Sequence, residues 1–160
     1  MTYVSSLAAT RARILALLGA VSGIAGVAPT YDWLRNLSSE DSVSALLKDT
    51  GGTFHFWQFG LTDADPIKSI RYPAGSNRAT VVWDIHGYMA VRDLAPTATE
   101  KTFDGIVAAI IDAFETDKKL SGAAVESGPA QLVQSGHVML ANVLCHYARF
   151  SFSCLIELEC

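Results

Sequence analysis

Apolar residues recur along this chain with two periods, and each period predicts its own elements. In residues 97–117 the apolar positions are Phe103, Ile106, Val107, Ile110, Ile111 and Phe114, while Asp104, Asp112 and Glu115 fall on the other side. Steps of three and four draw one stripe along a helix of 3.6 residues per turn. Thr97 and Glu100 have the capping-box spacing, in which each side chain satisfies a free N–H at the helix start. The spacing predicts a helix over 97–117, with Pro96 stopping the strand before it. In residues 80–92 the period is two. Val81, Trp83, Ile85, Met89 and Val91 alternate with Thr80, Asp84, His86, Tyr88 and Arg92. That pattern predicts a strand with one buried and one polar face. At about 3.3 Å per residue it spans roughly 40 Å. A compact chain of this length has a radius of gyration of only about 15 Å, so the strand crosses the whole domain or projects beyond it. Residues 143–159 repeat the alternation. The even positions from Leu144 through His146, Phe150, Phe152 and Cys154 to Leu158 oppose Tyr147, Arg149, Ser151, Ser153, Glu157 and Glu159.

Weaker patterns fill the remainder. Val4, Leu7, Ile14, Leu15 and Leu18 are spaced for a docking helix over 3–19. Arg11 and Arg13 before the apolar run 14–28 imitate a signal peptide, which leaves a secreted domain as a competing reading. The run is shorter than the roughly 20 apolar residues of a membrane span. Ser38 and Asp41 mark a further helix start ahead of Val43, Leu46 and Leu47. Residues 53–59 form an aromatic strand. Residues 61–78, with Asp63, Asp65, Pro66, Pro73 and Gly75, are expected to be one long loop. Residues 131–140 and 143–159 pair as a hairpin bent near Ala141 and Asn142. The order of elements predicts an α+β fold, an antiparallel sheet of long strands with helices packed on one face. It occupies a single domain over 1–160, with its core in 53–159. The opposite face carries charges and hydroxyls and is expected to meet water or a polar partner.

Composition narrows the function more than it identifies it. Half of the 160 residues are hydrophobic and the net charge is −4, which argues against disorder and against a basic nucleic-acid groove. A monomer of this size has roughly 7,700 Å² of surface, hard to keep polar at that composition, so oligomerisation through the first helix or strand edges is expected. Cys145, Cys154 and Cys160 are odd in number and lack a CxxC, so they are expected to be reduced thiols. The histidines His55, His86, His137 and His146 have no metal-ligand spacing. His146 lies on an apolar strand face and is expected to be a buried, hydrogen-bonded core histidine. Asp84 and His86 share a face two residues apart, a spacing that a base and its orienting carboxylate could use, yet no matched nucleophile accompanies them. No phosphate-binding glycine loop or nucleophile elbow occurs. The reading is therefore a non-enzyme with no catalytic, cofactor or metal residues. Its candidate interface residues are Asp63, Asp65, Arg71 and Arg78 in the loop, and Asp84, His86, Tyr88, Arg92 and Arg149 on the polar strand faces. Arg92 and Arg149 are candidates for ion pairs between subunits.

The layout also carries a resemblance. An N-terminal helix, an aromatic strand with Trp57, the stretch HGYMAVRDLAPTATEKTFDGIVAAIIDAF (residues 86–114) and a final hairpin with LCHYARFSFSCLIELE (residues 144–159) together resemble the tail terminator or tail-completion proteins of tailed bacteriophages. That resemblance implies a ring subunit, commonly a hexamer, at the head-proximal end of the tail tube. Such a ring stops tube polymerisation and presents a surface to the head–tail connector in the neck. The implied partners are other copies of the chain, the tube protein and the connector, with DNA passing through the lumen, no specific nucleic-acid site and no membrane. The implied place is the virion tail, assembled in the host cytoplasm. Other phage neck or tail components, such as a head-closure or tube protein, and a small-ligand-binding α+β domain are the alternatives.

Overall fold

The computed structural model describes residues 3–34, 47–48, 50–63, 66–71, 76–92, 99–140 and 142–159. In chain order the elements are α1 (Tyr3–Gly19), β1 (Thr30–Tyr31), β2 (His55–Leu61), β3 (Ile67–Arg71), β4 (Ser76–Ala90), α2 (Thr99–Thr116), a 3-10 turn (Leu120–Gly122), β5 (Glu126–Ser127), β6 (Gln131–Leu140) and β7 (Val143–Glu159). Two long strands form the spine. β4 and β7 pair antiparallel from Ser76 opposite Glu159 to Ala90 opposite Cys145, a ladder of roughly 50 Å. The fold is α+β, with both helices on one side of a mostly antiparallel seven-stranded sheet.

Partners line the spine on both sides. β6 and β5 pair with β7. On the other side of the spine, β2 covers the upper half of β4 and β3 the lower half. The two strands change over at Val82. Thr62 N donates to Val82 O (3.1 Å), and Val82 N donates to Pro66 O (2.9 Å). This corrects the expectation of one loop through 61–78, because residues 67–71 are strand and β4 begins at Ser76. The segment IKSIR shows no apolar–polar alternation. It is a strand because the long β4 would otherwise leave a row of unpaired backbone groups along that edge.

The core lies between the sheet and the helices. Ile14 and Leu18 of α1 and Phe103, Ile106, Ile110 and Phe114 of α2 are buried against Trp57, Phe59, Val81, Trp83, Ile85, Phe150 and Phe152. The predicted stripe of α2 is thus the buried one, and the helix runs from Thr99. Thr97, Pro96 and the helix start at Ser38 and Asp41 lie outside the described residues. Trp57 lies flat across β4 at Gly87. A Cβ there would stand 2.1 Å from the indole ring, so only glycine admits it. Phe103 stacks on the other side of that ring at 5.8 Å. Arg13 joins α1 to the end of α2, reaching Asp117 Oδ2 at 2.9 Å. Desolvation pushes the Asp117 pKa up, but the Ser121 N–H and Arg13 outweigh it and hold the carboxyl below its usual range. His146 is buried, with Nε2 2.8 Å from Thr99 Oγ1, as its place on an apolar face predicts. Cys145 and Cys154 are free thiols on opposite faces of β7, and Cys160 lies outside the described residues.

The other face of the sheet is less open than its polar alternation suggests. Leu47, Phe56, Leu140 and Cys145 form a second buried cluster there, with Tyr31, Tyr88, Val138 and Val143 packed against it. The face expected to meet water is therefore partly covered, because Phe56 and Cys145 share its parity and need a dry environment of their own.

Candidate functional site

Strand parity brings four of the nine candidate residues, Asp84, His86, Tyr88 and Arg149, into three neighbouring rows on this second face. Gln58, His86 and Arg149 form one row across β2, β4 and β7; Phe56, Tyr88 and Tyr147 form the next; Gly60, Asp84 and Ser151 form the third. Residues directly opposite one another in a ladder point to the same side. Gly60 supplies no side chain to its row. Leu34 occupies that space, 3.0 Å from where a Cβ would stand.

The polar groups in these rows bind one another. Arg149 donates to Asp84 Oδ2 at 2.8 Å, and Thr62 Oγ1 donates to the same oxygen at 3.2 Å. Asp84 is only 5 % exposed. A carboxylate taken this far from water needs such charge-assisted bonds. His86 Nδ1 lies 2.9 Å from Tyr147 Oη. Burial lowers the His86 pKa from 6.5; Asp84 and Asp63 pull it up and Arg149 pulls it down. The imidazole is neutral at pH 7. Burial raises the pKa of both Tyr88 and Tyr147, and it pushes the Cys145 thiol up to about 11. Tyr88 stacks on Phe56 at 4.8 Å.

The base-and-carboxylate arrangement open to Asp84 and His86 is not assembled. The hydrogen bonds described for Asp84 go to Arg149 and Thr62, and that of His86 goes to Tyr147. Asp84 reaches His86 through its charge alone. Arg149, expected to pair between subunits, is used inside the chain. Arg92, the other such candidate, is exposed at the end of β4, with its guanidinium donating to Thr53 Oγ1 at 2.9 Å. It stands apart from the three rows. Arg78 sits far down β4, half-buried, with its Nε 3.9 Å from the carboxylate of the exposed Glu157 opposite. Arg71 belongs to β3 by its backbone, opposite Asn77, and its side chain lies outside the described residues, as does Asp65. Asp63 is exposed beyond the end of β2.

The residues that complete the cluster, Tyr147, Thr62 and Gln58, were not among those predicted. Tyr147 could have been found, since it shares the odd parity of Arg149. Gln58 and Thr62 could not, because their rows depend on the β2–β4 register.

A second surface lies at the edge of the sheet. Among the described residues β6 pairs with β7 on one side only, and its residues are exposed from Gln131 to His137 and again at Met139. It contains no Asp, Glu, Lys, Arg or Pro in ten residues. The five-residue edge strand β3, by contrast, carries Lys68 and Arg71. A register shift between Leu132 and Gln134 interrupts the β6 ladder once, after which pairing continues to Leu140. Between β6 and α2 runs a groove of about 170 Å³, lined by Glu100, Phe103, Asp104, Val107, Leu132 and His137 among others. That is smaller than the roughly 300 Å³ at which small-molecule sites begin.

Among the described residues, no three His, Cys, Asp or Glu side chains are placed to hold a metal ion, and no helix is long and apolar enough to cross a membrane. No family model matches the chain, and no curated protein matches it.

Proposed function

We propose that this chain is a structural assembly subunit, a ring-forming tail terminator of a tailed bacteriophage. It caps the head-proximal end of the tail tube, stops tube polymerisation and joins the tail to the neck connector. The mechanism is geometric: one face of the ring copies the contact surface of a tube subunit, and the other offers the next tube ring no site.

The observation that supports this reading is the β6 edge. A ten-residue strand, exposed and free of charge, is a template for another chain. Natural edge strands are blunted by lysine, proline or inward-pointing charge, as β3 is by Lys68. An edge left bare in this way belongs to a subunit that is covered on assembly. The polar rows around Asp84 support the same reading, because Arg149 and Thr62 bond the Asp84 carboxylate within the chain and tie neighbouring strands together. The choice of tail terminator among assembly subunits rests on the resemblance of layout.

Light scattering on the purified protein, with negative-stain imaging, tests the proposal. Rings are expected, and added tube protein should stop growing at tubes capped by them. A protein that stays monomeric, and leaves the length of growing tubes unchanged, would overturn it.

A further inference from the structure

On the side that faces α2, β6 carries a notch. The register shift at Val133 sets Leu132 opposite Phe150, Ser135 opposite Ala148 and His137 opposite His146. Phe150 and Ala148 belong to the core under the helices, and His146 stacks on Phe103 of α2 at 5.4 Å. Residues opposite one another in a ladder share a face, so Leu132, Ser135 and His137 all stand on the helix side. Ser135 is the short side chain between two long ones, and the groove of about 170 Å³ opens there. Its far wall is α2, where Phe103 and Val107 are apolar and Glu100 and Asp104, one turn apart, are exposed carboxylates. Among the described residues, no lysine or arginine lines the groove or pairs with either carboxylate.

From this notch we infer that β6 receives an extended strand of a partner protein, one that carries a lysine or arginine level with Ser135. The inference rests on the reading of β6 as an edge covered on assembly, and it names the chemistry of the strand that covers it. Strand addition draws affinity from main-chain hydrogen bonds and specificity from pockets for alternate side chains. An added strand lies about 4.8 Å beyond β6, so a side chain on its helix side must cross Ser135 to enter the groove. A long unbranched chain does so. Its methylenes lie along Leu132, Phe103 and Val107, and its charged head reaches Glu100 and Asp104. Basic side chains commonly bury a stem and keep the head in water in this way. Leu132, 43 % exposed in the chain alone, is covered in the same step. A short side chain leaves the groove unfilled, an acidic one meets two like charges, and an apolar one leaves both carboxylates without a partner. A second copy of β6 brings no cation to the notch, because its ten residues contain no lysine or arginine.

Three capped peptides test this on the full chain. All alternate threonine and valine and differ only at the central position, which is lysine, norleucine or glutamate. The lysine peptide should protect the outward-facing amides of residues 131–140 from exchange. It should bind about fivefold tighter than the norleucine peptide, with the glutamate peptide weakest. Glu100→Gln with Asp104→Asn should abolish the preference for lysine and leave the norleucine peptide unchanged. Both positions are exposed, so this variant should melt close to the wild type. A lysine peptide that binds no tighter than the norleucine one overturns the inference and leaves the edge reading standing. Outward amides of 131–140 already protected in the protein alone make a second copy the occupant, which also overturns it. No protection by any peptide overturns it as well. If the chain then also stays monomeric at every concentration and leaves growing tubes unchanged, the assembly reading falls with it.

Discussion

On the helix-covered face of the sheet, Trp57, Phe59, Trp83, Phe150 and Phe152 are all sealed from water and held by shape. On the opposite face, Asp84, Arg149, His86 and Tyr147 are held by hydrogen bonds of 2.8 to 2.9 Å, beside a small apolar cluster around Phe56. The same two strands, β4 and β7, supply both sets by alternation. The difference lies in how each face fails. Removing volume or adding charge on the first leaves a defect that the close-packed interior cannot relax. Removing one partner on the second leaves a polar group that can turn partly to water, since the Arg149 side chain keeps 35 % exposure.

The sharpest break of the comparison is Ile110→Asp. Ile110 is fully buried on the stripe of α2, and a carboxylate there has neither a partner nor water. No cooperative thermal transition is expected in circular dichroism. A folded mutant would put the apolar stripe on the wrong side of the helix. Gly87→Ala is the next largest, and it tests shape alone. The added methyl meets the Trp57 ring at 2.1 Å, and the indole is pinned by Phe103 from its other side. A loss of about 3 kcal/mol in urea unfolding is expected. A loss near zero would mean that Trp57 can move aside and that this face is less rigid than its packing implies.

These two positions also show what could be read from the chain alone. The α2 stripe was legible because a period of three and four over a whole helix has one solution, and Phe103, Ile106, Ile110 and Phe114 are all buried. The two faces of β7 were legible for the same reason with a period of two, and so were the opposite sides of Cys145 and Cys154. Gly87 was silent, since its need for glycine comes from a tryptophan thirty positions away. β3 was missed because its residues carry no rhythm, and only the bare edge of β4 makes them a strand. The candidate site was half legible. Parity put Asp84, His86, Tyr88 and Arg149 on one side. It could not say that Arg149 folds back onto Asp84, or that Phe56 and Leu47 help to close that side. Parity alone makes Asp84 a solvated carboxylate, indifferent to mutation.

Its burial changes that expectation. Asp84→Asn keeps the shape and removes the charge that Arg149 faces. A hydrogen bond to a charged group contributes about 1.5–3 kcal/mol. The exposure of Arg149 lowers this, since a third of that side chain is screened by water. A loss of about 1 kcal/mol in urea unfolding is expected, with ring formation retained. A loss as large as that of Gly87→Ala would erase the distinction between the two faces and make the polar rows as unyielding as the core.

The smallest effect is read in pH rather than in absolute stability. Burial lowers the His86 pKa below 6.5 in the folded chain, so the unfolded chain binds a proton there more readily. Stability rises with pH wherever the unfolded state holds more protons. The contribution of His86 is therefore fully present above the unfolded value of 6.5. It is lost as pH falls through 6.5 towards the folded pKa, and below that it changes no further. Protonation would also place a second positive charge beside Arg149, while the only nearby carboxylate in the rows, Asp84, is already bonded to Arg149 and Thr62. Wild-type unfolding measured in urea at steps between pH 8 and pH 5 should lose stability over that window. His86→Gln, which keeps a polar group within reach of Tyr147 but cannot titrate, should show a flatter profile through the same window. Equal slopes would mean that His86 keeps its proton equilibrium on folding, and that water reaches the imidazole as freely as it reaches the exposed third of Arg149 beside it.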